Sequence, residues 1–433
     1  MNNLLEKLLE EAKKRADEVE VLYESSKEYS MDVYEGEFET VTLSEIGGVS
    51  LKLLKDNKMG MSYSERVDES VIDTLIEQAE MSMAFSPEGQ ELPLLEGEQK
   101  AFGEITKRDI ADYKDDLLET EKLIYDKDEN IKSVSVAMSL MEHERVLKNS
   151  KSLDLSEKSS GGLVHAMVIM NHEGAMEMGF DFQLIEDFSP AELAEKAYRE
   201  ATSGLGAKSV PSKKRNLIIN GQTFGMLLSA FGSIFSAEQM QKDMSVLKGK
   251  VGEKVSGEAL SLTDNPTYEK TPFKKYFDSE GVMTKPFTLI DKGEFKGFLH
   301  SRKTAEKEGV ESTGHGNRGI KGAVHVSPTT FVVSPGEFSV SELLEELGDG
   351  LYIREFQAYH SGMNSVSGDF SLPAKAFLVE SGKLTTPVNQ ITVSGNILDL
   401  FKGVKAVANN EDNAMLRGFS PDVLVEGLSV SGE

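Results

Sequence analysis

The hydrophobic pattern is most sharply periodic between Gly221 and Phe235, where Phe224, Leu227, Leu228, Phe231, Ile234 and Phe235 recur at three- and four-residue steps. That is the period of a helix burying one broad face. The face is too wide for a surface helix, so the spacing predicts a helix inside the second half of the chain. From Lys248 to Val255, glycines punctuate a return into extended chain.

Nearer the N-terminus, Leu4, Leu5, Leu8, Leu9 and Ala12 share one side of a helix predicted over residues 2–16. Alternating segments follow at Val19 to Tyr23, Tyr29 to Val33 and Phe38 to Leu43, separated by Gly36 and Gly47-Gly48. They read as short antiparallel strands with one wet face. Residues 49–54 and 59–63 add a hairpin across Asp56-Asn57-Lys58, and a helix over 70–85 closes the group. Residues 86–103, with Pro87, Pro93 and scattered acids, have no period and read as a linker. The order then begins again. A helix over 107–125 precedes strands at 131–141, 144–149, 152–158, 162–170 and 175–184. A second helix opens at Ser189-Pro190-Ala191-Glu192, with Ser189 as N-cap and Pro190 at the first helical position. Helix, strands, helix thus occurs twice, the pattern of a structural duplication with halves 1–85 and 104–205. Beyond a linker at 204–214, a strand at 216–220 leads into the central helix, and the remainder is short strands broken by turns. The fold class is therefore α+β: an N-terminal α+β domain over 1–205 and a β-rich domain over 214–433.

Composition narrows the function classes. No run of the 433 residues approaches the roughly 18 apolar positions of a membrane span. The N-terminal segment is an acidic amphipathic helix rather than a signal peptide. The chain has no cysteine, which excludes disulfides, thiolate metal ligands and a cysteine nucleophile, and fits a cytoplasmic protein. A net charge of −26 argues against a nucleic-acid partner. The short basic runs Lys213-Lys214-Arg215 and Lys274-Lys275 read as solvated strand flanks.

A hydrolytic zinc site needs about three protein ligands, an open position and a general base. None of the seven histidines stands in His-Glu-x-x-His. His172-Glu173 with Glu177 sits in a segment that reads as a turn between strands, and His143-Glu144 reads as a strand-end pair. His300, His315, His325 and His360 are the fallback metal candidates, against the plainer reading that they are hydrogen-bonded or surface histidines. Gly314-His315-Gly316-Asn317-Arg318-Gly319 matches G-x-G-x-x-G, but a strand-like run follows it where a dinucleotide fold needs a helix. Neither Gly232-Ser233 nor Gly362-Met363-Asn364-Ser365 makes a serine elbow.

Several pieces of the C-terminal half occur in the order of the TldD/PmbA family, whose members are described as metalloproteases or modulators of DNA gyrase. They are Leu262 to Pro266, Phe277 to Gly281, Leu289 to Gly293, Gly297 to Leu299, Thr313 to Gly319, Ser367 to Ser371, Gly382 to Val388 and Ser394 to Ile397. The chain resembles that family over this half and, more loosely, over residues 49–63. The family's catalytic subunits carry His-Glu-x-x-x-His on the helix that matches the central helix here, with a cysteine as a further ligand. The corresponding positions are Ser229, Ala230 and Ile234, and no cysteine exists. The resemblance therefore implies the TldE (PmbA) type of subunit. It is non-catalytic, binds no cofactor, and pairs with a zinc-bearing TldD-like catalytic subunit acting on unfolded peptides, as in peptide maturation or antitoxin degradation. It also implies a docking face that could form a homodimer when the partner is absent. A β-rich domain with open edges can hold an extended peptide by strand addition. The glycine-rich loops 314–322 and 359–368 are the candidate lining, through Gly314, His315, Gly316, Asn317 and His360. The alternative is a self-sufficient metallopeptidase built on the four fallback histidines; a direct antagonist of gyrase is a third reading.

Overall fold

Two long strands, β1 (Glu18–Tyr34) and β5 (Ile131–Asn149), lie antiparallel at the centre of a seven-stranded sheet. The computed structural model describes residues 2–433 except 88, 90, 93, 98–100, 103–109, 173 and 414–417. On one side of the central pair the order continues to β2 (Glu37–Lys55) and β3 (Lys58–Ser64). On the other side stands β6 (Asp154–His172), which carries both β4 (Ala101–Phe102) and β7 (Ala175–Leu184). Helices α1 (Asn2–Lys13) and α2 (Ile72–Met83) cover the β1–β2 end of one face. Helices α3 (Lys114–Tyr125) and α4 (Pro190–Thr202) cover the β5–β6 end. Helix, three strands, helix is thus the element order on both sides of the β1–β5 seam.

The strands are longer than the sequence pattern predicts. Residues 131–141 and 144–149 are one strand, as are 154–172, and β2 runs straight through Gly47-Gly48. Those glycines are not breaks. A Cβ on Gly48 would lie 2.3 Å from the Ser64 carbonyl oxygen and 2.6 Å from Ile320 Cδ1, and one on Gly161 would lie 2.2 Å from Pro272 Cβ. They let the C-terminal region approach the sheet's open face. The predicted linker contains β4, and its residues 88, 90, 93, 98–100 and 103 lie outside the described residues, as do 107–109 of the predicted helix. Ser189 stands at the N-cap of α4 but its side chain makes no capping bond; its amide donates instead to Gln183 Oε1 at 2.8 Å.

In the C-terminal half, five strands close into a ring. Gly350–Phe356 pairs with β8 (Lys213–Ile219), then come Val423–Ser431, Lys383–Asn396 and Asp369–Glu380, which returns to Gly350–Phe356. Closure removes the long free edges that strand addition requires. The predicted central helix is α5 (Gly221–Ala230), followed by a 3₁₀ turn at Gly232–Phe235. Phe224, Leu227, Leu228, Phe231, Ile234 and Phe235 are all fully buried among the residues of the C-terminal core. Past Ala230 the chain runs close to Pro328: a Cβ on Gly232 would meet Pro328 Cγ at 2.9 Å. Residues 248–255 form turns around Gly249 and Gly252, both at positive φ, rather than an extended return.

The two halves are joined by buried charge. Arg318 reaches from the C-terminal half into the sheet, donating to Glu20 Oε1 at 2.8 Å and Ser50 Oγ at 2.9 Å. Lys52 lies 3.1 Å from the same Glu20 oxygen. Burial pushes Glu20 up, but Lys52 and Arg318 together hold it below its ordinary value. Beside this group, Arg145 of β5 donates to Glu157 and to the Phe277 carbonyl, and stacks on the Phe277 ring at 4.8 Å. Lys275 is no solvated strand flank: burial first, then Arg145, lowers it to about 8. Removing Arg318 would leave Glu20 with Lys52 alone, and breaking a buried ion group in this way costs about 3–5 kcal/mol. Arg318→Ala is therefore expected to lose that much in urea denaturation; a loss below about 1 kcal/mol would contradict the assigned role of the junction.

Candidate functional site

A cleft of about 1960 Å³ separates β7 and α4 from the C-terminal half. Its far wall contains Gln222, Thr223 and Met226 of α5, with Tyr352, Arg354, Phe377 and Phe419. The solvent-facing side of α5 is the stripe Gln222, Met226, Ser229, Ala230, and Ser233 follows on the 3₁₀ turn. The first two line the cleft, and Ser229 and Ala230 continue along the same side. Ile234 stands apart from them, fully buried in the core. At one point the cleft is spanned, where Arg354 pairs with Glu200 of α4 and lies over the Phe377 ring at 5.1 Å.

The N-terminus of α5 is held by carboxylates. Asn220 caps it by accepting from the Thr223 amide at 2.8 Å, and Asp422 Oδ1 accepts from the Gly221 amide at 2.9 Å. Asp422 Oδ2 accepts from the Tyr352 hydroxyl at 2.9 Å, and Asn410 Nδ2 donates to Asp422 Oδ1 at 3.0 Å and to Asp412 Oδ2 at 3.2 Å. Asp412 thus sits beside a buried, fully bonded carboxylate. Burial first, and then Asp422, raises its carboxyl to about 6, against the opposing pull of Lys196 across the cleft. Burial likewise pushes the Tyr352 hydroxyl up, reinforced by Asp422.

The histidine candidates are not brought together as a metal site; among the described residues no group of three or more histidines and carboxylates is placed to hold a metal ion. His315 is fully buried, with Nε2 3.1 Å from Asp264 Oδ1 and Nδ1 2.9 Å from Thr313 Oγ1. This chain of acid, imidazole and hydroxyl has the connectivity of a nucleophilic triad but is closed to solvent, and no residue of it lines the cleft. His300 is buried beside it, its Nδ1 without a partner, and burial lowers its pKa. His325 is exposed and pairs with Asn317 in a two-residue ladder. His360 is exposed in the loop whose Tyr359 lines the cleft.

The two candidate loops therefore part company. Loop 359–368 borders the cleft. Loop 314–322 does not: the Gly316 amide donates to Asp278 Oδ2 at 2.9 Å, the Arg318 amide to Ser279 Oγ at 3.0 Å, and Asn317 Nδ2 to Ser327 Oγ at 2.8 Å. It belongs to the junction with the sheet. No helix follows its glycines, so the G-x-G-x-x-G match has no dinucleotide fold around it. Asn171 and His172 end β6 and Ala175 begins β7, so the segment lies between two paired strands, with Glu173 outside the described residues. His143 lies within β5, not at a strand end, its ring 5.2 Å from Phe273.

The acid cluster was not found from the sequence. Its only local signal is Asn409-Asn410-Glu411-Asp412, which reads as an ordinary turn. Asp412 supplies a test. In the fold it titrates near 6, against an ordinary 3.8, so between those values the folded chain holds a proton that the unfolded chain has lost. Through this group, stability rises as pH falls from 7 toward 4. Asp412→Asn is expected to raise Tm at pH 7.5 and to raise it much less at pH 4.5; equal shifts at both values would refute the assignment.

Comparison with known proteins bears on this arrangement. Profiles of the PmbA/TldA metallopeptidase match domain 1 over residues 19–82, the central domain over 103–205 and the C-terminal domain over 212–432. A metalloprotease of Methanocaldococcus jannaschii is 28% identical over 94% of this chain and 92% of its own length. A Thermotoga maritima structure, described as a candidate modulator of a DNA gyrase, superposes with a TM-score of 0.90 at 32% identity, covering 99% of this chain and 100% of that one. TldE from Thermococcus kodakarensis shares the fold, with a TM-score of 0.87 at 23% identity and coverage of 99% and 100%. The chain belongs to the PmbA/TldD metallopeptidase family.

Proposed function

We propose that this chain is the non-catalytic, peptide-binding subunit of a two-chain metalloprotease of its family, acting in the cytoplasm on unfolded polypeptide. The observation that carries this reading is the solvent-facing stripe of α5, which begins in the cleft at Gln222 and Met226. It presents Ser229 and Ala230 where the resemblance puts a histidine and a glutamate, and Ile234, at the second histidine position, is buried in the core. The absence of cysteine from the chain removes the further ligand as well. A zinc site needs donors converging on one open point. Alanine and isoleucine offer none.

On this reading the cleft holds a segment of chain and the partner supplies the metal and the activated water. The carboxylates at the start of α5 fix that helix as a rigid wall rather than acting on the substrate. The partner is a TldD-like chain bearing the complete motif, and the free chain is able to self-associate through the face that would receive it.

The test is zinc content and peptidase activity, measured on the chain purified without chelator and again after addition of a TldD-like subunit. The proposal predicts less than about 0.1 zinc per chain and no cleavage of an unfolded peptide by the chain alone, with cleavage appearing on mixing. Near one zinc per chain, with cleavage abolished by chelation, would overturn it.

A further inference from the structure

The basic run Lys213-Lys214-Arg215 lies at a notch in the C-terminal ring. Strand Gly350–Phe356 pairs with β8 in the register of Leu351 to Leu217, so its first residue stands level with Asn216. Strand β8 begins earlier, at Lys213. Among the described residues, 213–215 therefore have a strand neighbour on one side only, where they pair with Val430, Ser429 and Leu428. Across the gap stands the end of Asp369–Glu380, whose Val379 pairs with Gly350 and whose Glu380 runs on past it. The space between is a cavity of about 630 Å³, bordered also by Leu378, Ser381 and Gly427. It shares no lining residue with the cleft.

Three cations border this space from both faces of β8. Side chains alternate along a strand. Lys213 and Arg215 share the face of Leu217 and Ile219, which lie in the interior core of the ring, and Lys214 shares the outer face with Ile218. In a chain with 73 acidic against 47 basic residues, none of the three forms an ion pair among the described residues. Arg215 is half-buried, and burial lowers its guanidinium with no carboxylate to offset it. Its Nη2 donates to the Pro211 carbonyl at 3.1 Å, while Nε is buried without an acceptor. A buried donor left unpaired is costly, and a charged one more so. The two carboxylates at the cavity are engaged within their own turns: Asp349 Oδ1 accepts from the Ser381 amide at 2.8 Å, and Glu380 Oε2 from the Thr385 hydroxyl at 2.9 Å.

We infer that this notch is a binding site for a phosphate-type oxyanion, held by the ammonium groups of Lys213 and Lys214 and the guanidinium fork of Arg215. The donor set selects the class. Arginine presents a planar fork suited to two oxygens of one anion, and each lysine adds a point charge. A carboxylate has two oxygens to share among three cations; a tetrahedral oxyanion offers a further oxygen to each lysine. The walls supply only Leu378 and Val379 as apolar side chains and no aromatic ring, so a large organic ligand would find little to cover it. The anion would brace the end of β8 against the end of Asp369–Glu380, where the ring has no strand between them. This site is independent of the reading of the chain as a peptide-binding subunit.

Titration calorimetry of the full chain with inorganic phosphate at neutral pH tests this, with sodium chloride at equal ionic strength as the comparison. The inference predicts saturable binding of phosphate with a Kd below about 1 mM, and none of chloride. The double variant Lys213→Met/Lys214→Met changes exposed side chains only, and Arg215→Lys keeps the charge but loses the fork; each is expected to weaken binding at least about tenfold. Lys132→Met, at an exposed lysine of β5, is expected to bind like the parent. If Arg215→Lys misfolds by circular dichroism, the double variant decides alone. Glycerol 3-phosphate separates the sources of the anion. Tighter binding than inorganic phosphate would assign the site to a phosphorylated small molecule, and weaker binding to the free anion, each upholding the inference. Saturable binding of neither anion by the parent, or parent-like binding by the folded variants, would overturn it while leaving the two-chain protease reading to its own mixing test.

Discussion

The contact between Arg318 and Glu20 sets the geometry on which the rest of the molecule depends. It joins residues 298 apart in sequence and is buried at both ends. A buried ion pair is a poor source of net stability, since the cost of desolvation offsets most of the attraction. What it supplies is selectivity. Any other docking of the C-terminal half on the sheet would leave Arg318 without Glu20 and Ser50, Glu20 with Lys52 alone, and Arg145 without the Phe277 carbonyl. The loop from Gly314 to Gly319, with its backbone bonds to Asp278 and Ser279, delivers the guanidinium to that point.

Around that fixed angle, the cleft combines a rigid wall and an open one. The rigid wall is α5, its apolar side buried and its first turn held by Asn220 and Asp422. The exposed side of the helix carries Gln222, Met226, Ser229 and Ala230, none of them a zinc donor of the usual kind. The open wall is β7, an unpaired strand edge with methionines beside it. That combination underlies the proposal that this chain binds substrate and leaves the chemistry to a partner. The chain Asp264–His315–Thr313 shows why connectivity alone does not make a catalytic site: all three residues are buried and none lines the cleft.

Much of the fold was legible because local pattern and tertiary role coincide. The three- and four-residue spacing from Phe224 to Phe235 marked a buried helix, and the alternation in residues 18–64 and 131–184 marked strands. The glycine pairs misled: Gly47-Gly48 and Gly161-Gly162 have the composition of turns, but they sit in mid-strand, where another segment's backbone or side chain takes the place of a Cβ. That reason lies in residues such as Ile320 and Pro272, distant in sequence. Arg318 looked like part of a glycine loop for the same cause. The methionines of β7 resembled any one-sided strand, and that their face is left uncovered depends on how α4 and the C-terminal half are placed.

The account turns on the cleft of this chain holding an unfolded polypeptide without a metal of its own. Photo-crosslinking states it most directly. An unfolded peptide carrying benzoylphenylalanine would be irradiated with the full chain, with and without chelator, and the adducts mapped by mass spectrometry. The account predicts adducts on Met178, Phe180 and the facing wall at Met226 and Tyr359, in equal yield under both conditions. Adducts confined to other surfaces, or lost on chelation, would contradict it.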